Sequence, residues 1–457
     1  MIKKEIGGND IFMQQIENYI SRLLQEKCIS IKSVLVIVND YNNMRYEYLT
    51  HKLIKHFNIK KVYSINTVPN KVDMIIFDIG CQEIAKIYSD RNPAYVIGKM
   101  AVTEDYFGFW EQNRNICQGI YIEKENDIGK PEILEWYREE TDIELSIIIP
   151  VYNIAMYIDK CIDTLTQWKA SYVEYIFVDD GSTDNSPELI RRRMQVDTRI
   201  KLIQKVNGGC ASARNKGIQS AKGRYIGIVD GDDFINETMY IELLKRALLG
   251  NYDLTYCGFA EYYEDSGNLK IAENDYMGEP YLTGTYRQDK VQLLVVNTRV
   301  AIWRCLYKKS IIQESGITFH EDLKRFDDLP FKVEYIFASK SAVCVPKILY
   351  YYRLGRQGQD TSYQDERLYI HFEIFRHLDE YVKKKNDQRM WDLLQIVKLN
   401  THRYAISIIR SDLKKDYIKK ACRELKDSIK YWRCIWLVWL YMGWKNAFWL
   451  TMLWIRN

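Results

Sequence analysis

The chain has 457 residues, 47% of them hydrophobic and 28% charged, with a net charge of +4. At roughly 150 residues per domain this length supports two or three domains with sizeable cores, which excludes a chain that is mainly disordered. Eight prolines and 23 glycines exclude collagen-like and low-complexity classes, and ten cysteines, no two closer than twelve residues, exclude a disulfide framework and any CxxC metal or redox unit.

The cysteine usage fits a reducing cytosol. Met1 to Asp10 carries Lys3 and Lys4 but runs into a polar helical pattern instead of an apolar core, so no secretory signal is read there and the chain is expected on the cytoplasmic side. Residues 1–142 alternate helical and strand signals. An amphipathic stretch at Ile11 to Leu24 precedes the apolar runs Val34 to Val38, Val62 to Ile65, Val72 to Ile79 and Ala94 to Ile97, which predict a small α/β domain. No Gly-x-Gly-x-x-Gly follows any of these strands, so a structural or docking role is expected there in preference to nucleotide binding.

A charged, Pro/Gly-punctuated stretch at residues 128–142, read as a connecting helix and linker, leads into a second domain, residues 143–362. Leu145 to Val151 reads as a buried parallel strand. After it come a helix (Ala155 to Trp168), a strand (Glu174 to Val178), a helix (Ser186 to Gln195), a strand (Lys201 to Gln204), a helix (Ala211 to Ser220) and a strand (Tyr225 to Val229). This alternation specifies a doubly wound sheet, and such sheets bind ligands at the carboxyl ends of their strands. There the sequence places Pro150-Val151-Tyr152-Asn153, Asp179-Asp180-Gly181-Ser182-Thr183-Asp184 and Asp230-Gly231-Asp232-Asp233, with Asn207-Gly208-Gly209-Cys210-Ala211-Ser212-Ala213-Arg214-Asn215 between the second and third.

In this order the elements resemble the family 2 glycosyltransferases of GT-A fold, over Glu144 to Ser362. The resemblance implies a mixed α/β sheet and an inverting transfer of a sugar from a UDP-sugar. It assigns Pro150, Tyr152, Asn153, Asp179, Asp180, Asn207, Arg214 and Asp230 to nucleotide-sugar binding, with Asp180 reading the uracil edge and Arg214 facing the nucleotide. Asp232, in the DxD element, is the implied ligand of a Mn²⁺ or Mg²⁺ ion, because carboxylates suit these hard cations and the departing diphosphate needs one. Asp233 reads either as part of this element or as a cap for a helix from Phe234 to Leu249. Phe326-Asp327-Asp328 resembles the family's paired-acid motif with Asp in place of the usual Glu, and puts Asp328 in the general-base position. Tyr350-Tyr351-Tyr352-Arg353-Leu354-Gly355-Arg356, ending at Asp360-Thr361-Ser362, is similar to a loop that covers the diphosphate in the family, so Arg353 and Arg356 become phosphate contacts. A competing metal cluster of His320, Glu321 and Asp322 is disfavoured because neighbours in a strand alternate faces, and the six histidines show no zinc spacing.

Residues 363–457 form a helical region that is basic and rich in tryptophan. From Thr401 onward twelve Lys/Arg face four acids, and the last 27 residues hold six of the eleven tryptophans. An amphipathic basic helix over Asp412 to Arg433, followed by apolar runs broken at Lys445-Asn446, predicts peripheral or monotopic attachment to an anionic membrane through residues 412–457, in preference to a span. A Trp-rich hairpin packed on its own protein or on a second copy, a homo-oligomer, is the alternative. Tryptophans in one apolar block argue against nucleic acid as partner. The expected function is therefore transfer of a sugar to a glycan acceptor, lipid-linked, in surface polysaccharide synthesis at the cytoplasmic face of the membrane. The alternatives are a catalytically inactive GT-A scaffold or sugar-binding module, and a nucleotidyltransferase, whose Gly-rich basic loop after the first strand is replaced here by Pro150 to Asn153.

Overall fold

The computed structural model describes residues 11–25, 31–37, 53–54, 57, 59, 61–63, 72–77, 93, 95–100, 105–115, 117–125, 131–138, 142–272, 285–287, 289–356, 364–428, 433, 435–436 and 439. The chain divides into two compact units, Met1–Asp142 with Leu248–Asn251, and Ile143–Ala247 with Tyr252–Asn457.

In the first unit, helix α1 (Ile11–Gln25) precedes strands β1 (Ser33–Ile37), β2 (Lys61–Tyr63), β3 (Met74–Phe77) and β4 (Tyr95–Met100). Helix α2 (Tyr106–Asn113) then leads to β5 (Gly119–Glu125) and β6 (Pro131–Tyr137). The sheet order is β2-β1-β3-β4-β5-β6, parallel except for β6. Alternate residues of the strands, Val34 and Val36, Met74 and Ile76, share one face and bury the apolar stripe of α1 (Ile16, Tyr19, Ile20, Leu23). The apolar runs of the sequence thus become the strands they predict.

The second unit is built on β7 (Leu145–Val151), whose run LSIIIPV is buried at every residue but Pro150, as a strand covered on both faces requires. After it come α3 (Ile158–Leu165), β8 (Val173–Asp179), α4 (Ser186–Met194), β9 (Ile200–Gln204), α5 (Cys210–Ser220), β10 (Tyr225–Ile228), β11 (Phe234–Ile235), α6 (Met239–Gly250) and β12 (Leu254–Tyr263). The short strands β13 (Leu269–Ile271) and β14 (Thr285–Arg287) precede β15 (Cys305–Lys308), α7 (Asp328–Ala338) and β16 (Ser341–Leu354). The order β11-β16-β12-β15-β10-β7-β8-β9 makes a mixed sheet, with β10, β7, β8 and β9 parallel and β15 antiparallel to β10. Two expectations need correction. The stretch read as a connecting helix and linker holds strand β6, which pairs antiparallel with β5 in the first unit's sheet. Phe234-Ile235 does not open a helix but pairs antiparallel with Tyr351 and Tyr350, and the helix begins at Met239. At the amino end of the parallel strands, buried Glu174 accepts from Ser146 Oγ (2.5 Å) and the Lys222 amide (2.7 Å), and pairs with Lys201. This closes the end of the sheet opposite the motif loops.

Helices α8 (Ile370–Lys385), α9 (Gln388–Ile408) and α10 (Ser411–Ser428) belong to this second unit. A buried polar network joins them. Tyr417 Oη lies 3.2 Å from His371 Nδ1 and 3.0 Å from His402 Nδ1, His402 Nε2 lies 2.6 Å from Glu424, and fully buried Lys398 donates to Asp379 at 2.7 Å. The apolar side of α10 (Tyr417, Ala421, Cys422, Leu425) is spent inside the protein, while Lys414, Lys415, Lys419, Lys420, Arg423 and Lys426 stay exposed. Most of residues 429–457, including the Trp-rich run expected at the membrane, lies outside the described residues. Trp436 and Trp439 are about half exposed. Among the described residues no helix is long and apolar enough to cross a membrane.

Candidate active site

The carboxyl ends of β7 and β8 are tied together by their loops. Asn153, in the left-handed region at φ 53°, donates its amide to Ser182 Oγ at 3.0 Å and accepts from the Thr183 amide at 2.8 Å. Asp184 accepts from the Ala155 amide at 2.9 Å. Asp179 is buried and accepts from the Ser182 amide and Gln204 Nε2, each at 3.0 Å, so it shapes the turn. Gly181 sits at φ 78°, where a Cβ would lie 3.1 Å from the Asn207 amide nitrogen, and glycine is the residue that tolerates both conditions.

The Asp180 carboxylate accepts from the Gly208 amide (2.9 Å), the Gly209 amide (2.7 Å) and Lys205 Nζ (2.6 Å), while its carbonyl accepts from Asn207 Nδ2 (2.9 Å). Its carboxylate therefore holds the glycine loop, with each oxygen accepting from the chain. Lys205 carried no signal in the sequence. Its role appears once β9 pairs with β8 and places Gln204 beside Asp179. What the strand ends leave open is Tyr152, 52% exposed, with Pro150 and Asn153 beside it.

Arg214, on α5, forms the centre of the site. The resemblance has it facing the nucleotide, and in the structure its guanidinium is held by three carboxylates of the chain. Its side chain is 5% exposed, and its guanidinium donates to Asp230 (2.9 Å), Asp327 (2.9 Å) and Asp328 (2.6 Å). One cation among three carboxylates leaves excess negative charge in a poorly hydrated place, so a proton is held more firmly than usual. Burial pushes the Asp328 carboxyl up to about 7, with Arg214 opposing and Asp327 and Asp230 adding to the shift. Asp328, at the start of α7, is 25% exposed at its side chain and so remains open to a reactant. Phe326, just before the pair, sits at φ 54°, a conformation that a bulky residue adopts only when its surroundings hold it. Its ring packs on His371 of α8 at 5.1 Å.

The acidic end of β10 is the second centre. Fully buried Asp233 accepts from Tyr350 Oη and from the Arg353 amide, both at 2.7 Å, which makes it a brace between β10 and β16 and not a helix cap. The Asp230 amide donates to Tyr350 Oη at 3.3 Å. Asp232 is raised above the usual carboxylate range by burial, with Arg356 opposing and Asp230 adding, and it forms an ion pair with Arg356. Arg353 corrects its expected role as a phosphate contact. It is buried, donates to the Asp232 carbonyl at 2.6 Å, pairs with Glu264, and stacks over Tyr157, Phe234 and Tyr262. Asp360 to Ser362 lie outside the described residues.

The family model for glycosyl transferase family 2 matches residues 146–315. The chain is 30% identical over 260 residues to YibD, an uncharacterized glycosyltransferase of Escherichia coli (strain K12), covering 54% of this chain and 73% of that protein. The chain belongs to glycosyl transferase family 2. Another relative, EpsJ of Bacillus subtilis (strain 168), also described as an uncharacterized glycosyltransferase, is 32% identical over 212 residues, 46% of this chain and 60% of its own. The chain thus spans about three fifths of that relative's length. Among solved structures, S. aureus TarS 1-349 in complex with UDP-GlcNAc matches with a TM-score of 0.51 at 18% identity, over 65% of this chain and 84% of that one, and it shares the GT-A fold of this family member.

Proposed function

We infer that the protein transfers a sugar from a UDP-sugar to a glycan acceptor with inversion at the anomeric carbon. The observation that carries this reading is Asp328, partly open and raised to about 7 at the Arg214 cluster. A carboxylate that loses its proton near neutral pH can take the acceptor's hydroxyl proton as the anomeric carbon is attacked. The UDP part of the reading is supported by the shared fold with a protein crystallised with UDP-GlcNAc, and by Tyr152, Pro150 and Asn153 lying open at the strand ends.

The acidic end of β10 fits a divalent cation. Asp232 and Asp233 are both raised by burial and by their neighbours' charge, and the positive charge now beside the Asp232 carboxylate is Arg356. Asp232, with Asp230, would hold Mn²⁺ or Mg²⁺, which when bound neutralises the leaving diphosphate. Arg356, released from Asp232, then becomes the arginine placed for that diphosphate.

The acceptor we infer is a lipid-linked glycan of a surface polysaccharide, met at the cytoplasmic face of the membrane. The exposed Lys and Arg of α10 suit an anionic lipid surface through charge.

Calorimetric titration of UDP with Mn²⁺ tests the donor site, beside Asp232→Ala. Metal-dependent binding that is lost in the variant is expected, and absence of binding to either protein overturns the UDP reading. Turnover of a panel of UDP-sugars, with the anomeric configuration of the product read by NMR, tests the transfer and its inversion.

A further inference from the structure

We propose that His320, Asp322 and His377 form a binding site for a transition-metal ion, best suited to Zn²⁺, which fastens the loop before the Asp327-Asp328 pair to helix α8. One ligand atom from each residue, a ring nitrogen from either histidine and a carboxylate oxygen from Asp322, lies within 4.8 Å of the other two. The two imidazole rings lie 4.7 Å apart between centroids, tilted by 48°, and His377 Nε2 already lies 2.8 Å from Asp322 Oδ2. Metal–nitrogen and metal–oxygen bonds of about 2.0–2.2 Å in a tetrahedral site need donors somewhat more than 3 Å apart, so small side-chain shifts suffice.

The chemistry of the donors favours zinc over the hard cations. Two imidazoles and one carboxylate suit Zn²⁺, whereas Mg²⁺ and Ca²⁺ prefer oxygen alone. A second carboxylate is in place behind the first histidine. Glu334 of α7, nearly buried, lies 2.9 Å from His320 Nε2, the arrangement that orients a metal-bound histidine and leaves its other nitrogen for the ion. Arg376 is the nearby competing cation, with Nη2 3.3 Å from His377 Nε2. It is well exposed and paired with Glu380, so it can turn away without leaving a buried charge.

The placement gives the ion a purpose. Asn215 of α5 already grips this loop, donating to the Phe319 carbonyl at 2.8 Å and to Glu321 at 2.9 Å. His377 comes from α8, which also supplies His371 under Phe326. An ion bridging His320 and Asp322 to His377 would hold the loop from its other side, in register with the backbone at Phe326. The site shares no residue with the Asp230 and Asp232 end of β10, and the proposal stands whether or not the donor is a UDP-sugar.

The test is metal content and metal-linked stability of the full chain after treatment with a chelator. With Zn²⁺ restored, wild type is expected to retain one Zn²⁺ per chain by elemental analysis, to melt at a higher temperature, and to show visible ligand-field bands when Co²⁺ replaces zinc. The Asp322→Asn variant changes a largely exposed side chain and is expected to fold and to bind at least about tenfold more weakly. His377→Asn should lose the ion, whereas Asp232→Ala should keep it. Absence of zinc from wild type after reconstitution overturns the proposal, as does undiminished binding by Asp322→Asn and His377→Asn.

Discussion

If Asp328 is the base, kcat/KM must follow its ionisation. The carboxyl is raised to about 7 by burial, with Asp327 and Asp230 adding and Arg214 opposing. With that value, about a tenth of the free enzyme carries the ionised base at pH 6 and about nine tenths at pH 8, so kcat/KM should fall roughly tenfold across that interval and tenfold again by about pH 5. Replacing Asp327 by Asn removes one of the two like charges while keeping the side chain's shape, and should move the acidic limb to lower pH. Asp328→Asn should lose about 10²- to 10⁴-fold in kcat at about pH 8, where the wild-type base is ionised, the range for a removed general base. The assay is release of the nucleoside diphosphate at saturating metal, from about pH 5 to about pH 9. A profile flat between pH 6 and pH 8, or a limb unmoved in Asp327→Asn, would refute the assignment.

Arg214→Met should destabilise the fold by about 3–5 kcal/mol, because it leaves three carboxylates around a buried apolar side chain, and the urea midpoint should fall accordingly. Tyr350→Phe strips Asp233 of a buried donor and should cost about 1–3 kcal/mol by the same measurement, an unchanged midpoint contradicting the brace. His371 is pushed down to about 3 by burial, with His402 adding to the shift. The unfolded chain therefore binds more protons between about pH 6.5 and pH 3, and this group makes stability fall as pH drops through that window. Asp328 acts in the opposite sense: its raised value makes the folded state bind more protons, so its contribution declines as pH rises from about 4 to about 7. Denaturation of His371→Phe, with the aromatic volume kept, should show a weaker loss of stability below pH 6.5 than wild type.

The sequence by itself determined the layers. Short apolar runs such as LSIIIPV suit strands buried on two faces, and turn-forming residues (Asn153, Gly181, Gly208, Gly231) after successive strands fixed where the loops lie. It also marked Asp232 and Asp328 as chemically important, because their elements come in a recognisable order. What it could not assign was direction. Whether Arg214, Asp180 or Arg353 points at a ligand or into the protein depends on which strands become neighbours. Arg214 meets Asp327 and Asp328 across 113 and 114 residues, and Arg353 meets Asp232 across 121. Each arginine lies close to more carboxylates than the loop sequence suggests, and burial makes those pairs compulsory. The same holds for Phe234. Its local pattern favours a helix, but pairing with Tyr351 of β16 claims its backbone for a strand. His320, Asp322 and His377 show the limit most plainly. Alternation along a strand argues against neighbours converging, yet in the fold His320 and Asp322 are two residues apart in a loop and their third member arrives on a helix more than fifty residues later. Short-range spacing records what one element can present, and only the tertiary structure decides which elements face each other.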